Sequence, residues 1–257
     1  MKIISWNVNG IRAVERKGEL ESFLSSQSPD VLLIQETKAT PDKLSKNLLE
    51  NQDYVSFYHS AEKAGYSGTS IWVSRKIETE LSWLPGLPGY EDNEGRVARI
   101  DFAGLSILGV YFPNGGKSAD AWDDKLVFYR CFLDYVNQLR LDGRKVVWAG
   151  DVNCAHEEID IARPKENKKS IGFLPEERAW VTDVIENSWD DVYRKKYPDS
   201  VIYSWWHLIS KARARNVGWR IDYFFVDSAL YPLVTEINYL NDQMGSDHCP
   251  VSLNINL

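Results

Sequence analysis

Val97-Ala98-Arg99-Ile100-Asp101-Phe102-Ala103-Gly104-Leu105-Ser106-Ile107-Leu108-Gly109-Val110-Tyr111-Phe112 decides the architecture. Two runs rich in β-branched and aromatic residues, 97–102 and 106–112, have the length and composition of strands. The link through Ala103-Gly104-Leu105 is too short for a helix, so the neighbours meet as a hairpin, which argues against a purely parallel sheet. Further strand-like runs occupy 3–8, 31–35, 69–74, 146–149, 221–226 and 251–255. Helical patterns occupy 18–26, 40–50, 121–141 and 175–187. The last opens with Pro175, Glu176 and Glu177, where a fixed φ and negative charge suit a helix start. Strands and helices in this order predict an α/β sandwich with mixed sheets. No Pro/Gly/Ser linker or low-complexity stretch divides the chain, so residues 1–257 are expected to form a single domain.

No uninterrupted apolar run is long enough to cross a bilayer, and polarity begins at Lys2 and Ser5. The expectation is a soluble protein without export signal or anchor, with no membrane partner. Cys131, Cys154 and Cys249 are an odd, sparse set, which fits reduced thiols in the cytoplasm better than a disulfide framework. The net charge of −7 speaks against a nucleic-acid partner, because Lys and Arg supply most non-specific DNA affinity. Distribution matters more than the sum. Basic residues gather at Arg12-Arg16-Lys17, at Lys165-Lys168-Lys169 and at Lys211-Arg213-Arg215-Arg220, so a basic face on an acidic protein, or simply solvated charge, is open.

Several apolar runs end abruptly in a carboxylate or carboxamide, as expected where strand ends converge on a polar site. Asn7, Glu36 and Asp151 stand at such ends, each of which taken singly reads as a turn or cap residue. Asn153 lies two residues beyond Asp151, so the two share a face if the segment is extended. Near the C-terminus, Gly245-Ser246-Asp247-His248-Cys249-Pro250 leads into the final strand, and Asp222 is the best candidate to orient His248. Cys154, His156, His248 and Cys249 raise the question of zinc, but their spacing suits no finger or ribbon. Hard oxygen donors point instead to Mg²⁺, held by one or two carboxylates and a substrate phosphate. Finally, Tyr203, Trp205, Trp206 and Trp219 alternate with Lys211, Arg213, Arg215 and Arg220, either a stacking surface for nucleic acid or core tryptophan beside a solvated loop.

Six ordered blocks carry a resemblance that spans nearly the whole chain. They are Ile4-Ser5-Trp6-Asn7-Val8-Asn9-Gly10-Ile11-Arg12-Ala13, Gln35-Glu36-Thr37-Lys38, Lys63-Ala64-Gly65-Tyr66-Ser67-Gly68-Thr69, Gly150-Asp151-Val152-Asn153-Cys154-Ala155-His156, Asn216-Val217-Gly218-Trp219-Arg220-Ile221-Asp222-Tyr223 and Gly245-Ser246-Asp247-His248-Cys249-Pro250. Together they resemble the exonuclease III family of apurinic/apyrimidinic endonucleases. The resemblance implies a four-layer, deoxyribonuclease-I-like α/β/β/α sandwich with the active site at one end of the sheets.

It also implies roles. Glu36 and Asn7 would contact Mg²⁺, for which Mn²⁺ would substitute, with Asp151, Asn153, Asp247 and His248 around the same ion. Asp151 would take the proton of the attacking water and Asn153 would position it. His248, oriented by Asp222, would bind the scissile phosphate with help from Tyr111. Trp205, Trp219 and Ile221 would enclose a flipped-out abasic deoxyribose, while Arg12, Lys17, Gly65, Tyr66, Lys117, Asn167 and Ile209 would contact double-stranded DNA. The implied activity is hydrolysis of DNA 5′ to abasic sites, with 3′-5′ exonuclease action and trimming of blocked 3′ ends. A monomeric cytoplasmic enzyme, at the nucleoid in a prokaryote, is the matching expectation. A phosphoinositide-type phosphatase on the same scaffold and a non-catalytic damaged-DNA binder are the competing readings.

Overall fold

Ala103 (φ 47°) and Gly104 (φ 78°) both take left-handed backbone, which matches the twist of flanking strands and closes the hairpin expected there. The structure is a computed structural model and describes residues 1–208 and 211–257. Among these, the strands in chain order are β1 (Lys2–Asn7), β2 (Val31–Gln35), β3 (Tyr54–His59), β4 (Thr69–Ser74), β5 (Ser82–Trp83) and β6 (Val97–Phe102). They continue with β7 (Leu105–Tyr111), β8 (Lys145–Asp151), β9 (Trp189–Asp191), β10 (Asp222–Asp227), β11 (Val234–Tyr239) and β12 (Val251–Ile255). One sheet has the order β11-β12-β1-β2-β4-β3 and the other β5-β6-β7-β8-β10-β9. Each is mixed: β1 runs parallel to β2 and β7 parallel to β8, while the remaining pairs are antiparallel.

The helices are α1 (Ile11–Arg16), α2 (Glu19–Gln27), α3 (Lys46–Leu49), α4 (Ala119–Leu141), α5 (Pro164–Asn167), α6 (Pro175–Glu186) and α7 (Val192–Lys196). Alternation along the strands sorts the side chains into layers. Ile3, Leu33, Ile71, Ile100, Ile107, Val147 and Leu253 fill the space between the sheets. Ile4, Trp6, Leu32 and Trp72 face outward to meet Ile11, Val14, Leu20 and Phe23 of α1 and α2. On the far side, Leu108, Trp148 and Phe225 pack against Phe128, Phe132, Trp180 and Val184 of α4 and α6. The result is the four-layer α/β/β/α sandwich. Each fully buried large apolar side chain contributes roughly 1.5–3 kcal/mol, which is why three continuous apolar layers dominate the fold. Gly150 is required by close approach, since a Cβ there would lie 1.8 Å from the carbonyl oxygen of Val110 on the parallel neighbour.

The four strands that the sequence does not announce, β3, β5, β9 and β11, are the four sheet edges. Edge strands pair on one side only and carry mixed polarity or very short length, so no apolar run marks them. The helix expected over 40–50 is corrected. That segment holds a 3₁₀ turn at Pro41–Lys43, then extended Leu44, then only α3. Ser45 breaks the helix because its hydroxyl accepts from Leu48 N (3.3 Å), which starts a new one. By contrast α6 starts with Pro175 as expected, and Glu177 reaches back to Leu174 N (3.0 Å). Ile209 lies outside the described residues.

Candidate active site

The space between the sheets changes character at one end. Inward positions along β1 read Ile3, Ser5, Asn7; along β2, Val31, Leu33, Gln35; along β8, Val147, Ala149, Asp151. Strand direction therefore delivers Asn7, Asp151 and, from β7, Tyr111 to the same edge. Antiparallel β10 brings its first residue, Asp222, opposite Asp151 in the pairing register. Ser246, which precedes β12, fastens the last loop to this edge by donating to the carbonyl of Asn7 (2.7 Å).

Here Asn7 Nδ2 donates to Glu36 Oε1 (2.9 Å) and to Asp151 Oδ2 (3.0 Å). His248 meets Asp222 Oδ2 through Nδ1 (2.8 Å) and turns Nε2 toward Asp151 Oδ2 (3.8 Å). Candidate ligand atoms of Glu36, Asp151 and His248 all lie within 4.8 Å of one another, a carboxylate and imidazole cluster with the chemistry of a metal site. Asp247 Oδ1 accepts from Asn9 Nδ2 (2.9 Å), and its Oδ2 accepts from the indole of Trp205 (3.1 Å). Asn153 does not share an extended face with Asp151. The strand ends at Asp151, Asn153 takes φ 54°, and the pair meets because the amide of Asn153 donates to Asp151 Oδ1 (2.8 Å). Asn9, Glu36 and Lys38 share this left-handed backbone, so uncommon non-glycine conformations gather at the site.

Burial, with Asp222 and Glu36 close by, outweighs the attraction of His248 and pushes the carboxyl of Asp151 up to about 7. Burial disfavours imidazolium at His248, but the charges of Asp222 and Asp151 prevail and raise its pKa to about 10. Glu36 would also rise on burial, yet hydrogen bonds from Asn7 and Lys38 hold it below the usual carboxylate range. Tyr111 is raised well above its ordinary value by burial and by Glu36 and Asp151, so it keeps its proton as a donor.

Beside this cluster, Trp205 and Trp219 meet edge to face with centroids 6.0 Å apart, and Ile221, Ile161 and Phe173 complete an apolar wall. Arg12, Lys17, Gly65 and Lys117 are exposed. Lys117 Nζ donates to Tyr66 OH (2.7 Å) and stands over its ring. Asn167 is spent locally, its amide donating to the carbonyls of Ala162 (3.2 Å) and Arg163 (3.0 Å). Arg220 needs correction: it is fully buried, paired with Asp160 and Asp191, and is no part of a basic face. Arg213 is half-buried and donates to the carbonyls of Ser246, Asn241 and Gln243. Trp206 is likewise core.

Other participants escaped the sequence reading. Lys38 Nζ lies 2.6 Å from Glu36 Oε2 and also donates to Asn9 Oδ1; it sits in a quoted block, but nothing in its spacing assigns it a partner. Arg96, buried, stacks its guanidinium on the Tyr111 ring at 4.8 Å and donates to the carbonyl of Tyr111 (3.0 Å). A recess of about 750 Å³ between α2 and α3, lined by Leu24, Leu48 and Asp53, contains none of these groups.

Residues 4–248 match the endonuclease/exonuclease/phosphatase family. An exodeoxyribonuclease of Bacillus subtilis (strain 168) is 39% identical over 259 residues, covering the whole of both chains. The DNA repair nuclease APEX1 of Danio rerio is 39% identical across 98% of this chain and 81% of its own. Among solved structures, the AP endonuclease LMAP from Leishmania major superposes with a TM-score of 0.89 at 29% identity, covering all of this chain and 87% of that one. A match running from β1 to the loop of His248 includes every strand that feeds the polar end of the sandwich, and the chain belongs to the endonuclease/exonuclease/phosphatase family.

Proposed function

We propose that this DNA-repair nuclease hydrolyses the backbone of double-stranded DNA 5′ to abasic sites and trims blocked 3′ ends, working as a monomer in the cytoplasm or at a nucleoid. One observation carries the reading: a carboxylate–imidazole cluster fit for a phosphodiester lies beside a small apolar wall of Trp205, Trp219 and Ile221, joined to it by the Trp205–Asp247 hydrogen bond. An abasic deoxyribose suits that wall, whereas a nucleotide bearing its base is larger and costs more to unstack. Arg12, Lys17, Gly65, Tyr66 and Lys117 line the flanking surface for phosphate and groove contacts.

Glu36 and Asp151, with Asn7 bridging them, offer hard oxygen donors to Mg²⁺. When bound, the ion supplies positive charge to the phosphoryl oxygens. Asp151 accepts the proton of the water, whose oxygen forms the new bond to phosphorus as the bond to O3′ breaks. Asn153, fixed by the hydrogen bond that its Nδ2 donates to the carbonyl of Phe112 (2.8 Å), orients that water. We assign His248 to the phosphate, because Asp222 occupies Nδ1 and favours imidazolium, which lacks a lone pair for metal. Tyr111 adds a neutral donor, and Asp247 holds Trp205 on the leaving-group side.

The deciding assay compares matched duplexes carrying an abasic analogue, a 3′-phosphate, a recessed end or no lesion. Preferential cutting at the abasic analogue is expected; hydrolysis of inositol phosphates with intact DNA would overturn the reading. EDTA should abolish incision and added Mg²⁺ or Mn²⁺ restore it, so full activity in chelator contradicts the metal assignment.

A pH profile tests the acid and base roles. Asp151 must be ionised to accept a proton, so kcat/KM should rise with pH through a limb no higher than about 7. A cation beside Asp151 moves this limb lower, never higher. His248 must stay protonated, so activity should fall along an alkaline limb no higher than about 10, which the same cation also lowers. Asp222→Asn should bring the alkaline limb down; an unmoved limb would remove His248 from the phosphate.

A further inference from the structure

Lys125 of α4 and Glu177 of α6 form an ion pair in which neither side chain reaches solvent. A buried pair of this kind is weak evidence for stability, since apolar residues of similar volume often serve as well or better. Its remaining hydrogen bonds suggest another purpose. Lys125 Nζ donates to the carbonyls of Asn153 (3.0 Å) and Asn114 (3.3 Å). Glu177 Oε2 accepts from Gly172 N (2.6 Å) and Leu174 N (3.0 Å). Capping α6 explains the bond to Leu174, but not the second donor or the buried cation on the other oxygen.

All three loops so gripped lead to the site. Asn153 Nδ2 donates to the carbonyl of Phe112, and Asn114 Nδ2 donates to Asn153 Oδ1 (3.3 Å), which keeps a second lone pair to face water. Gly172 abuts the indole of Trp219, where a Cβ would come within 2.9 Å of Cζ3, and its carbonyl accepts from Ala155 N (2.8 Å). We infer that Lys125 and Glu177 are a positioning pair, transmitting the rigidity of α4 and α6 to Asn153 and to the Trp219 wall. Lys125 acts through the carbonyl of Asn153, and Glu177 through Gly172. Neither touches the reacting atoms. The inference rests on the role proposed above for Asn153.

The test uses the full-length Lys125→Met/Glu177→Gln double variant, which removes both charges together and leaves a carbonyl oxygen for Gly172 or Leu174. Expected are a thermal midpoint near that of the parent and, on the abasic duplex, kcat lower by about 10–10²-fold with KM little changed, the signature of a misplaced group rather than lost binding. Lys125→Arg, keeping the charge and donors, should recover most of kcat. A double variant that melts like the parent and turns over at the parental rate overturns the inference. Should the double variant fail to fold, Glu177→Gln alone, measured beside its melting curve, decides the point: parental kcat in it overturns the inference. A readout without turnover separates this proposal from the functional one. The side-chain amide resonances of Asn153 should shift or broaden in the double variant. If the parent protein does not cut abasic DNA, the functional reading fails, while those resonances still report whether the pair holds Asn153.

Discussion

Asp151→Asn should lower incision at an abasic duplex by about 10³–10⁴-fold while leaving binding of the same duplex intact. The substitution is nearly isosteric, and a carbonyl oxygen at position 151 can still accept from the amide of Asn153, so the local turn survives. What disappears is the proton acceptor, the group that burial and the neighbouring Asp222 and Glu36 poise near neutrality. Loss of a negative charge beside the phosphate should, if anything, tighten DNA binding. Single-turnover rates and binding isotherms on matched duplexes separate the two effects. A variant cutting at the parental rate would remove Asp151 from proton transfer, whatever its position.

The largest effect on stability is expected at Arg220→Leu. Arg220 donates through Nε to Asp160 Oδ1 (2.7 Å) and through Nη2 to Asp191 Oδ2 (2.7 Å), all three side chains being buried. Removing the guanidinium strands carboxylates that cannot reach water, a change that typically costs about 3–5 kcal/mol. The remaining bond from Arg194 to Asp160 softens this without replacing the contact to Asp191. Burial alone would raise the carboxyl of Asp160, but Arg220 and Arg194 hold it at about 2. A depressed folded value adds stability above the ordinary carboxylate range that is lost as pH falls toward about 2. Without Arg220 the buried carboxylates take up protons at higher pH and mild acid relieves their cost, so the parent's advantage should be largest near neutrality and narrow toward about pH 4. Urea midpoints near neutrality and near pH 4 measure both statements. Unchanged stability with weaker DNA binding would instead return Arg220 to the surface role its sequence neighbours suggest.

Arg220 shows why the sequence was readable in some places and misleading in others. In Lys211-Ala212-Arg213-Ala214-Arg215-Asn216-Val217-Gly218-Trp219-Arg220 nothing distinguishes an exposed cation from a buried one, because its carboxylate partners lie 60 and 29 positions away. The same holds for Lys125 and Glu177, each an ordinary polar residue on an amphipathic helix until the two helices pack together. Arg96 behind Tyr111 and Lys38 against Glu36 depend equally on contacts that no local pattern encodes.

By itself the sequence determined the alternation that makes the central strands, the Ala103-Gly104 hairpin that makes the sheets mixed, and the placement of Asn7, Glu36 and Asp151 at or just beyond strand ends. Those features are local, arising from side-chain period, turn chemistry and the abrupt close of apolar runs. Only the tertiary structure decided which faces those ends share, which cations are buried and paired, and the contact by which Asp222, the partner the sequence already nominated, meets His248, because each depends on groups far apart in the chain being pressed together in a low-dielectric interior.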